Sequence, residues 1–334
     1  MMPAGATIFG CEGLDLSPSE AAFFRASDPW GFILFSRNIE TPEQVARLCS
    51  SLREAVGRDA PILIDQEGGR VQRLRAPHWR EWLPPLDQAR AASDARRSFW
   101  LRARIQADEL RAIGLDANCA PTCDIAGPRT HPFLQNRCLG TDAATVIANA
   151  RATAEGFLAG GVLPILKHMP GHGRAEADSH LDLPVVGADP ADLAQTDFAP
   201  FRALRDLPLG MTAHIRFTAY DDAPATQSRK MIALIREQIG FDGLLMTDDI
   251  GMEALSGSKG ARAAASIAAG CDVVLYCKGD MGPMEEVAEA AGQLTPEAAA
   301  RADAALARRH APDPVDIAAL EAELVALLGD GADV

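Results

Sequence analysis

The sequence lacks a long apolar run: no stretch approaches the roughly 18 consecutive apolar residues of a membrane-spanning helix. Its first residues, MMPAGATIFGCEG, contain neither a basic region nor a long apolar segment, so we expect no signal peptide and a cytoplasmic protein. Basic charge is also scarce. The formal net charge is −14, which argues against nucleic acid and anionic membrane surfaces as partners.

The seven cysteines indicate neither a disulfide framework nor a zinc site, because their number is odd and they show no zinc-ribbon spacing. Cys119 and Cys123 lie in one strand-like run, where four positions span about 13 Å, too far for a disulfide. We therefore expect seven free thiols. The chain also lacks a Gly-rich phosphate loop after its first strand and a G-x-S-x-G elbow. These absences argue against a doubly wound nucleotide-binding sheet and against a serine hydrolase.

Short apolar runs alternate with amphipathic segments of helical length. Many of these runs are apolar on both faces, as buried parallel strands are. The predicted strands are 6–10, 31–36, 61–65, 115–125, 162–168, 209–215, 243–249 and 271–277, and the predicted helices include 42–56, 94–113, 141–160, 228–239, 258–269 and 283–293. Eight strand–helix units in 334 residues predict an α/β protein with a (β/α)8 TIM-type barrel. We expect a single domain over residues 1–334, with about 295–330 forming a C-terminal helical cap.

Charged and polar side chains stand where four of the predicted strands end. Asp65 ends one strand, Lys167 and His168 end another, and Asp248 and Asp249 end a third; His214 and Arg216 stand on the fourth. A single acidic residue there could simply cap the next helix, but four such ends together are typical of a barrel active site.

The segment KHMPGHGRAEADSH, residues 167–180, contains three of the seven histidines. His168 and His172 have the spacing of zinc ligands on a helix, but Pro170 and Gly171 break a helix between them, so a metal site would need loop-borne ligands. Alternatively, an aspartate nucleophile and a histidine acid/base would suit glycoside cleavage, because imidazole titrates near neutral pH. His180 is such a histidine, and Asp178 could fix its tautomer.

Three motifs carry a family resemblance: DQEGGRVQRL, KHMPGHGRAEADSH and LLMTDDIGMEAL. In this order, each at a strand end, they resemble the signatures of β-N-acetylglucosaminidases of glycoside hydrolase family 3. In particular they resemble the single-domain bacterial enzymes that recycle cell-wall fragments. The resemblance covers roughly residues 5–290 and includes NRCLG at 136–140 and AHIRFTAYDDAPATQS at 213–228.

The resemblance implies a role for each site residue. Asp248 would be the nucleophile that forms a covalent glycosyl-enzyme, and His180 paired with Asp178 would be the acid/base. The positions that match those holding the sugar hydroxyls and the N-acetyl group are Asp65, Arg73, Arg137, Lys167 and His168. Asp249 would have a supporting or capping role. We interpret His172 as structural within its loop and His214 as a buried core histidine.

The resemblance further implies a retaining exo-β-N-acetylglucosaminidase, with no cofactor and no metal, that acts on N-acetylglucosaminyl-1,6-anhydro-N-acetylmuramyl peptides. We expect a monomer. A phosphorylase with the same nucleophile is the close alternative, because a neutral histidine would not repel phosphate. A metal-dependent hydrolase and a non-catalytic sugar-binding barrel are two further alternatives. The chain departs from the family pattern at Met169, at Cys138 and Leu139, which could loosen Arg137, and at Arg174, which could alter contacts with the leaving group.

Overall fold

The computed structural model describes residues 3–176 and 182–329. Eight strands close a barrel in which every neighbouring pair is parallel, and the last strand, β8, pairs with the first, β1. The barrel strands are β1 (Gly5–Phe9), β2 (Pro29–Leu34), β3 (Ile62–Ile64), β4 (Ala117–Asn118), β5 (Leu163–Met169), β6 (Leu209–Thr212), β7 (Leu244–Asp249) and β8 (Val273–Tyr276). The predicted (β/α)8 barrel is confirmed.

Burial explains why the strands lack the alternation of polar and apolar residues. In seven of the eight strands every residue is buried, since one face fills the barrel and the other packs under helices. Strand β7 is the exception, because its last two residues, Asp248 and Asp249, are partly exposed. The carboxyl end of β7 therefore opens onto the mouth of the barrel.

The surrounding helices agree closely with the sequence pattern. They are α1 (Pro18–Ser27), α2 (Pro42–Val56), α3 (Pro85–Ala91), α4 (Ala95–Ala112), α5 (Pro132–Gln135), α6 (Ala143–Ala159), α7 (Pro190–Gln195), α8 (Ala199–Ala203), α9 (Arg229–Ala233), α10 (Lys259–Ala269) and α11 (Met281–Ala291). Helix α2 begins as its sequence predicts, with the Thr41 side chain accepting from the backbone N–H of Gln44 and Pro42 in the first turn. No helix among the described residues is long and apolar enough to cross a membrane.

Two predicted boundaries were wrong. The run 115–125 contributes only the two residues of β4, because Pro121 has no N–H to continue a regular ladder and the chain turns toward the barrel mouth. The helix predicted at 228–239 divides into α9 and a π-helical turn, Leu234–Ile239. Neither difference changes the order of the barrel strands.

Two helices follow the last barrel unit, as the sequence predicts. Helix α12 (Pro296–Leu306) buries Ala298, Ala302 and Ala305 against the main core. Helix α13 (Ile317–Leu328) packs on α4, with Leu324 beside Leu101 and Ile105. All seven cysteines are free thiols, as expected.

Candidate active site

A cavity of about 310 Å³ lies at the carboxyl ends of the barrel strands. Its walls bring together six of the residues selected from the sequence: Asp65, Arg73, Arg137, Lys167, His168 and Asp248. They come from different strand ends and from the loop before α6, so only barrel closure makes them neighbours. The other two selected residues, Asp178 and His180, lie outside the described residues.

Four of the lining residues belong to a network of three cations and two carboxylates, which we call the cavity floor; its fifth member, Glu67, pairs with Lys167 and Arg137 behind the lining. Lys167 Nζ lies 3.2 Å from Asp65 Oδ1 and 2.5 Å from Glu67 Oε1. Arg73 donates to the other Asp65 oxygen at 2.9 Å. Arg137 binds Glu67 through two parallel hydrogen bonds, each of 2.8 Å. Such bidentate geometry fixes a guanidinium plane, so the network presents its polar groups in defined directions.

Three members of the network, Glu67, Asp65 and Lys167, are held in their charged forms by their partners. Burial alone would raise the pKa of Glu67, but the charges of Arg137 and Lys167 outweigh it and lower that pKa to about 2. The pKa of Asp65 is likewise held well below its usual value, because Lys167 and Arg73 overcome the effect of burial. The same pairing works in reverse for Lys167, since burial lowers its pKa but Glu67 and Asp65 raise it above the ordinary value.

Glu67 was missed in the sequence, although it lies within DQEGGRVQRL. It belongs to a short strand, Gln66–Gly68, that pairs antiparallel with Val71–Gln72. Gly68 has φ 106°, and a Cβ there would overlap the guanidinium of Arg102, which donates to the Glu67 carbonyl. The glycine therefore permits the turn that buries Glu67. A carboxylate followed by two glycines, just after a strand, was the available signal.

A further carboxylate, Asp124, holds His168 and His172, which both line the cavity. Its Oδ2 lies 2.7 Å from His168 Nδ1, and its Oδ1 accepts from the backbone N–H of His172 at 2.6 Å. Arg137 Nη2 approaches His168 Nε2 at 3.4 Å. Because an arginine can only donate, Nε2 is the acceptor and Nδ1–H donates to Asp124. Asp124 stands near the end of the run predicted as strand 115–125, where its position gave no indication of this partner.

The two adjacent aspartates at the end of β7 have different environments. Asp249 Oδ1 accepts from the backbone N–H groups of Gly251 at 2.8 Å and Cys277 at 3.2 Å, which is the supporting role expected for it. Asp248 Oδ1 accepts from the N–H of Asp249 at 2.8 Å. Within the described part of the chain, its Oδ2 accepts no hydrogen bond.

Their pKa values differ accordingly. Burial raises the pKa of Asp249. Burial acts on Asp248 in the same direction, but its interactions with His168 and His214, the backbone N–H of Asp249 and the charge of Lys167 together outweigh burial and lower its pKa. Asp248 is therefore a carboxylate at neutral pH, with one oxygen available to a ligand.

His214 lies beneath this pair and is fully buried. Its Nε2 lies 3.0 Å from the Asp249 carbonyl, so Nε2–H donates there, and its Nδ1 lies 2.8 Å from the Thr226 hydroxyl. Burial lowers the pKa of His214, which favours the neutral ring. The ring thus supports the end of β7 from inside the barrel.

The departures from the family pattern leave the cavity network intact. Cys138 and Leu139 are buried, and Arg137 keeps both bonds to Glu67 beside them. Arg174 pairs with Asp197 at 2.7 Å and with Asp192 at 2.8 Å. Its guanidinium is therefore bound to the segment around α7 rather than directed into the cavity.

His168 and His172 are the two histidines of the cavity that the metal alternative would use. Within residues 3–176 and 182–329, no cluster of three or more His, Cys, Asp or Glu side chains is arranged to hold a metal ion. The two rings pack edge to face, with centroids 5.8 Å apart, and His168 Nδ1 is bonded to Asp124.

Comparison with known proteins agrees with this geometry. The model of the glycosyl hydrolase family 3 N-terminal domain matches residues 27–309. A β-hexosaminidase of Bordetella avium is 35% identical over 287 residues, covering 83% of this chain and 81% of that protein. A β-hexosaminidase of Alkalilimnicola ehrlichii is 36% identical over 288 residues, covering 83% and 81%.

Two solved structures share the fold. NagZ from Neisseria gonorrhoeae, in complex with N-trifluoroacetyl-D-glucosamine, superposes with a TM-score of 0.85 at 27% identity, covering 98% of this chain and 99% of that one. A family 3 β-N-acetylglucosaminidase from Paenibacillus gives 0.82 at 30% identity, covering 98% and 62%. With the barrel and its carboxylate-lined cavity, these matches show a glycoside hydrolase. The chain belongs to glycoside hydrolase family 3.

Proposed function

We propose that this protein is a retaining exo-β-N-acetylglucosaminidase that removes terminal N-acetylglucosamine from muropeptides in cytoplasmic cell-wall recycling. The observation that carries the proposal is the ionised carboxylate of Asp248, which has one oxygen unbonded among the described groups and lines the same cavity as Asp65, Arg73, Lys167 and His168. The names of the β-hexosaminidase relatives and the glucosamine derivative bound by the gonococcal structure support the sugar class.

The proposed reaction takes place in two displacements. Asp248 forms a bond to the anomeric carbon while the bond to the leaving-group oxygen breaks, and His180 donates its proton to that oxygen. Water then gives a proton to His180 and its oxygen bonds to the anomeric carbon, which frees Asp248. Net retention results from the two inversions. Asp178 would hold the tautomer of His180 and stabilise its protonated form.

The cavity floor supports the exo mode. Asp65, Glu67, Lys167 and Arg137 close it with buried ion pairs, so a polysaccharide could not pass through. The charged groups there suit sugar hydroxyls, which both donate and accept hydrogen bonds. The phosphorylase alternative differs in the acceptor of the second displacement, which would be phosphate in place of water. Product analysis with and without phosphate tests this, because sugar 1-phosphate would indicate the phosphorylase.

His180→Ala should lower kcat/KM about 10²- to 10⁴-fold for substrates with poor leaving groups. The kcat/KM for 2,4-dinitrophenyl N-acetylglucosaminide should fall far less. Only a poor leaving group needs protonation as it departs. Asp178→Ala should give a milder version of the same pattern and shift the pH profile. The measurement is kcat/KM over a series of aryl leaving groups. Equal losses across the series would contradict the acid role.

The muropeptide leaving group carries carboxylates, and one cation at the cavity can meet them. Arg70 lines the cavity, is exposed, and makes no ion pair with a carboxylate in the described ranges. Its guanidinium lies over the ring of Phe133, 4.2 Å from the centroid, which orients it. We infer that Arg70 binds an acidic group of the leaving-group side.

Arg70→Ala should therefore lower kcat/KM for an anhydromuramyl-peptide substrate about three- to tenfold, with kcat nearly unchanged. An uncharged aryl N-acetylglucosaminide should be affected less than twofold, and the difference should shrink with added salt. Arg75→Ala, nearby in sequence but paired with Glu81, is the matched control. A loss of the same size with both substrates would show that Arg70 does not read the charge.

A further inference from the structure

Phe35 stands directly after β2, and its side chain lines the cavity. Its backbone N–H donates to Oδ1 of Asn38 at 3.0 Å, and Asn38 is fully buried. The Nδ2 of Asn38 donates in turn to the carbonyls of Cys11 at 3.1 Å and Gly13 at 2.8 Å. The backbone of Phe35 is therefore fixed to the segment that follows β1.

Two guanidinium groups lie over the Phe35 ring. Those of Arg37 and Arg73 are each centred 5.1 Å from the ring centroid. Arg37 is held by the main chain, because its Nε donates to the Cys11 carbonyl at 2.9 Å and its Nη2 donates to the Cys277 carbonyl at 2.5 Å. The ring therefore contacts one guanidinium that is bonded to the residues following β1 and β8, and a second one that belongs to the cavity floor.

Arg73 has fewer hydrogen bonds to fix its direction than Arg137 has. Within the described residues its guanidinium makes one hydrogen bond, from Nη2 to Asp65 Oδ2 at 2.9 Å, and its buried Nε has no partner there. Arg137 instead binds Glu67 through two parallel bonds. One hydrogen bond leaves the plane of a guanidinium free to turn, whereas the face of an aromatic ring restricts that rotation. The Phe35 ring therefore supplies the second constraint on Arg73.

We propose that Phe35 is a positioning residue, which holds the Arg73 guanidinium in its sugar-binding orientation. Attraction between a cation and a ring is stronger where water is largely excluded, and the Arg73 side chain is only 25% exposed. A phenyl group neither transfers protons nor forms a bond to the sugar, so its effect reaches the substrate through Arg73. This inference rests on the proposed function, in which Arg73 binds the terminal sugar.

The test is a double-mutant cycle with Phe35→Leu and Arg73→Met, assayed on an aryl N-acetylglucosaminide. Leucine keeps an apolar side chain but removes the ring, so kcat/KM should fall about three- to tenfold, mainly through a higher KM. In the Arg73→Met background the same substitution should lower kcat/KM less than about twofold, because the partner of the ring is already gone. Equal losses in the two backgrounds would overturn the proposal, since Phe35 would then act without Arg73.

Two further variants separate positioning from general packing. Phe35→Tyr retains the ring and should keep most of the wild-type kcat/KM. Trp100→Leu is the matched control, because it removes a ring that lies 4.6 Å from the guanidinium of Arg97, outside the cavity, and it should change neither kcat nor KM. If Phe35→Tyr lost as much activity as Phe35→Leu, the ring face would not be the feature that matters.

A crystal structure of Phe35→Leu shows the position of Arg73 whatever the substrate is. We expect the guanidinium to leave its place beside Asp65 or to occupy more than one conformer. An Arg73 side chain that kept its single conformer and its 2.9 Å bond to Asp65 would overturn the proposal. A wild-type protein that did not turn over the aryl N-acetylglucosaminide would instead refute the proposed function, and the crystal structure would still decide the role of Phe35.

Discussion

Asp248→Asn should lower kcat for an aryl N-acetylglucosaminide on the order of 10⁴-fold or more, the size of loss seen when a group of the nucleophilic machinery is removed from other enzymes. An amide cannot form the glycosyl-enzyme, yet asparagine keeps the Oδ1 that accepts from the N–H of Asp249. The local backbone should therefore be undisturbed, and the Kd for free N-acetylglucosamine should change by less than about tenfold. Steady-state kinetics and calorimetric binding provide the two measurements.

Asp249→Asn is the matched control for this prediction. Oδ1 of Asp249 accepts hydrogen bonds from two backbone N–H groups. The Oδ1 of an asparagine can accept both of these bonds. Most of the turnover should survive. If the two variants lost activity equally, or if Asp249→Asn were the more damaging, the assignment of the nucleophile to Asp248 would be wrong.

Glu67→Gln should destabilise the protein by about 3–5 kcal/mol, the cost of removing one partner from a buried ion-pair network. Glutamine is uncharged and cannot replace the two bonds to Arg137 together with the ion pair to Lys167. Arg137 would be left buried without a carboxylate. We also expect kcat/KM to fall, because Lys167 and Arg137 would lose their fixed directions at the cavity floor. Chemical denaturation measures the free energy of unfolding.

The pH dependence of the free energy of unfolding identifies the contribution of the Glu67 carboxylate. The folded pKa of Glu67, about 2, lies below its ordinary value of 4.5, so the carboxylate stabilises the fold above pH 4.5 and this stabilisation is lost as the pH falls toward 2. The difference between wild type and Glu67→Gln should therefore shrink by about 3 kcal/mol over that window. Glu81→Gln, from the half-exposed pair with Arg75, should cost less than about 1 kcal/mol at every pH. A pH-independent difference for Glu67→Gln would contradict the ionised network.

Local sequence patterns were sufficient to predict the barrel. A buried parallel strand must be apolar on both faces, and α2 shows its start through Thr41 and Pro42, so periodicity and capping located most elements. The wrong boundaries lay at 115–125, where the strand ends at Asn118 shortly before Pro121, and at 228–239, where the helix enters a π-helical turn. Neither departure produces a periodic signal.

Residues of the candidate site could be selected from the sequence where a charged side chain directly follows an apolar strand. Asp65, Lys167, His168 and Asp248 could be selected because charge directly after an apolar run is unusual, and the cavity does bring them together.

The supporting residues could not be found in this way. Glu67 and Asp124 act through partners as far apart in sequence as Arg137 and His168, and only closure of the barrel makes them neighbours. The contact of the Phe35 ring with the cavity floor is likewise a property of the closed barrel and not of the sequence around it.

The central claim is that Asp248 forms a covalent bond to a 2-acetamido sugar. Trapping with a 2-acetamido-2-deoxy-5-fluoroglycosyl donor, followed by peptide mass mapping, tests it most directly. We predict one equivalent of label on the peptide that contains Asp248, and none in Asp248→Asn. Label on another carboxylate, such as Asp249 or Asp65, would contradict the claim.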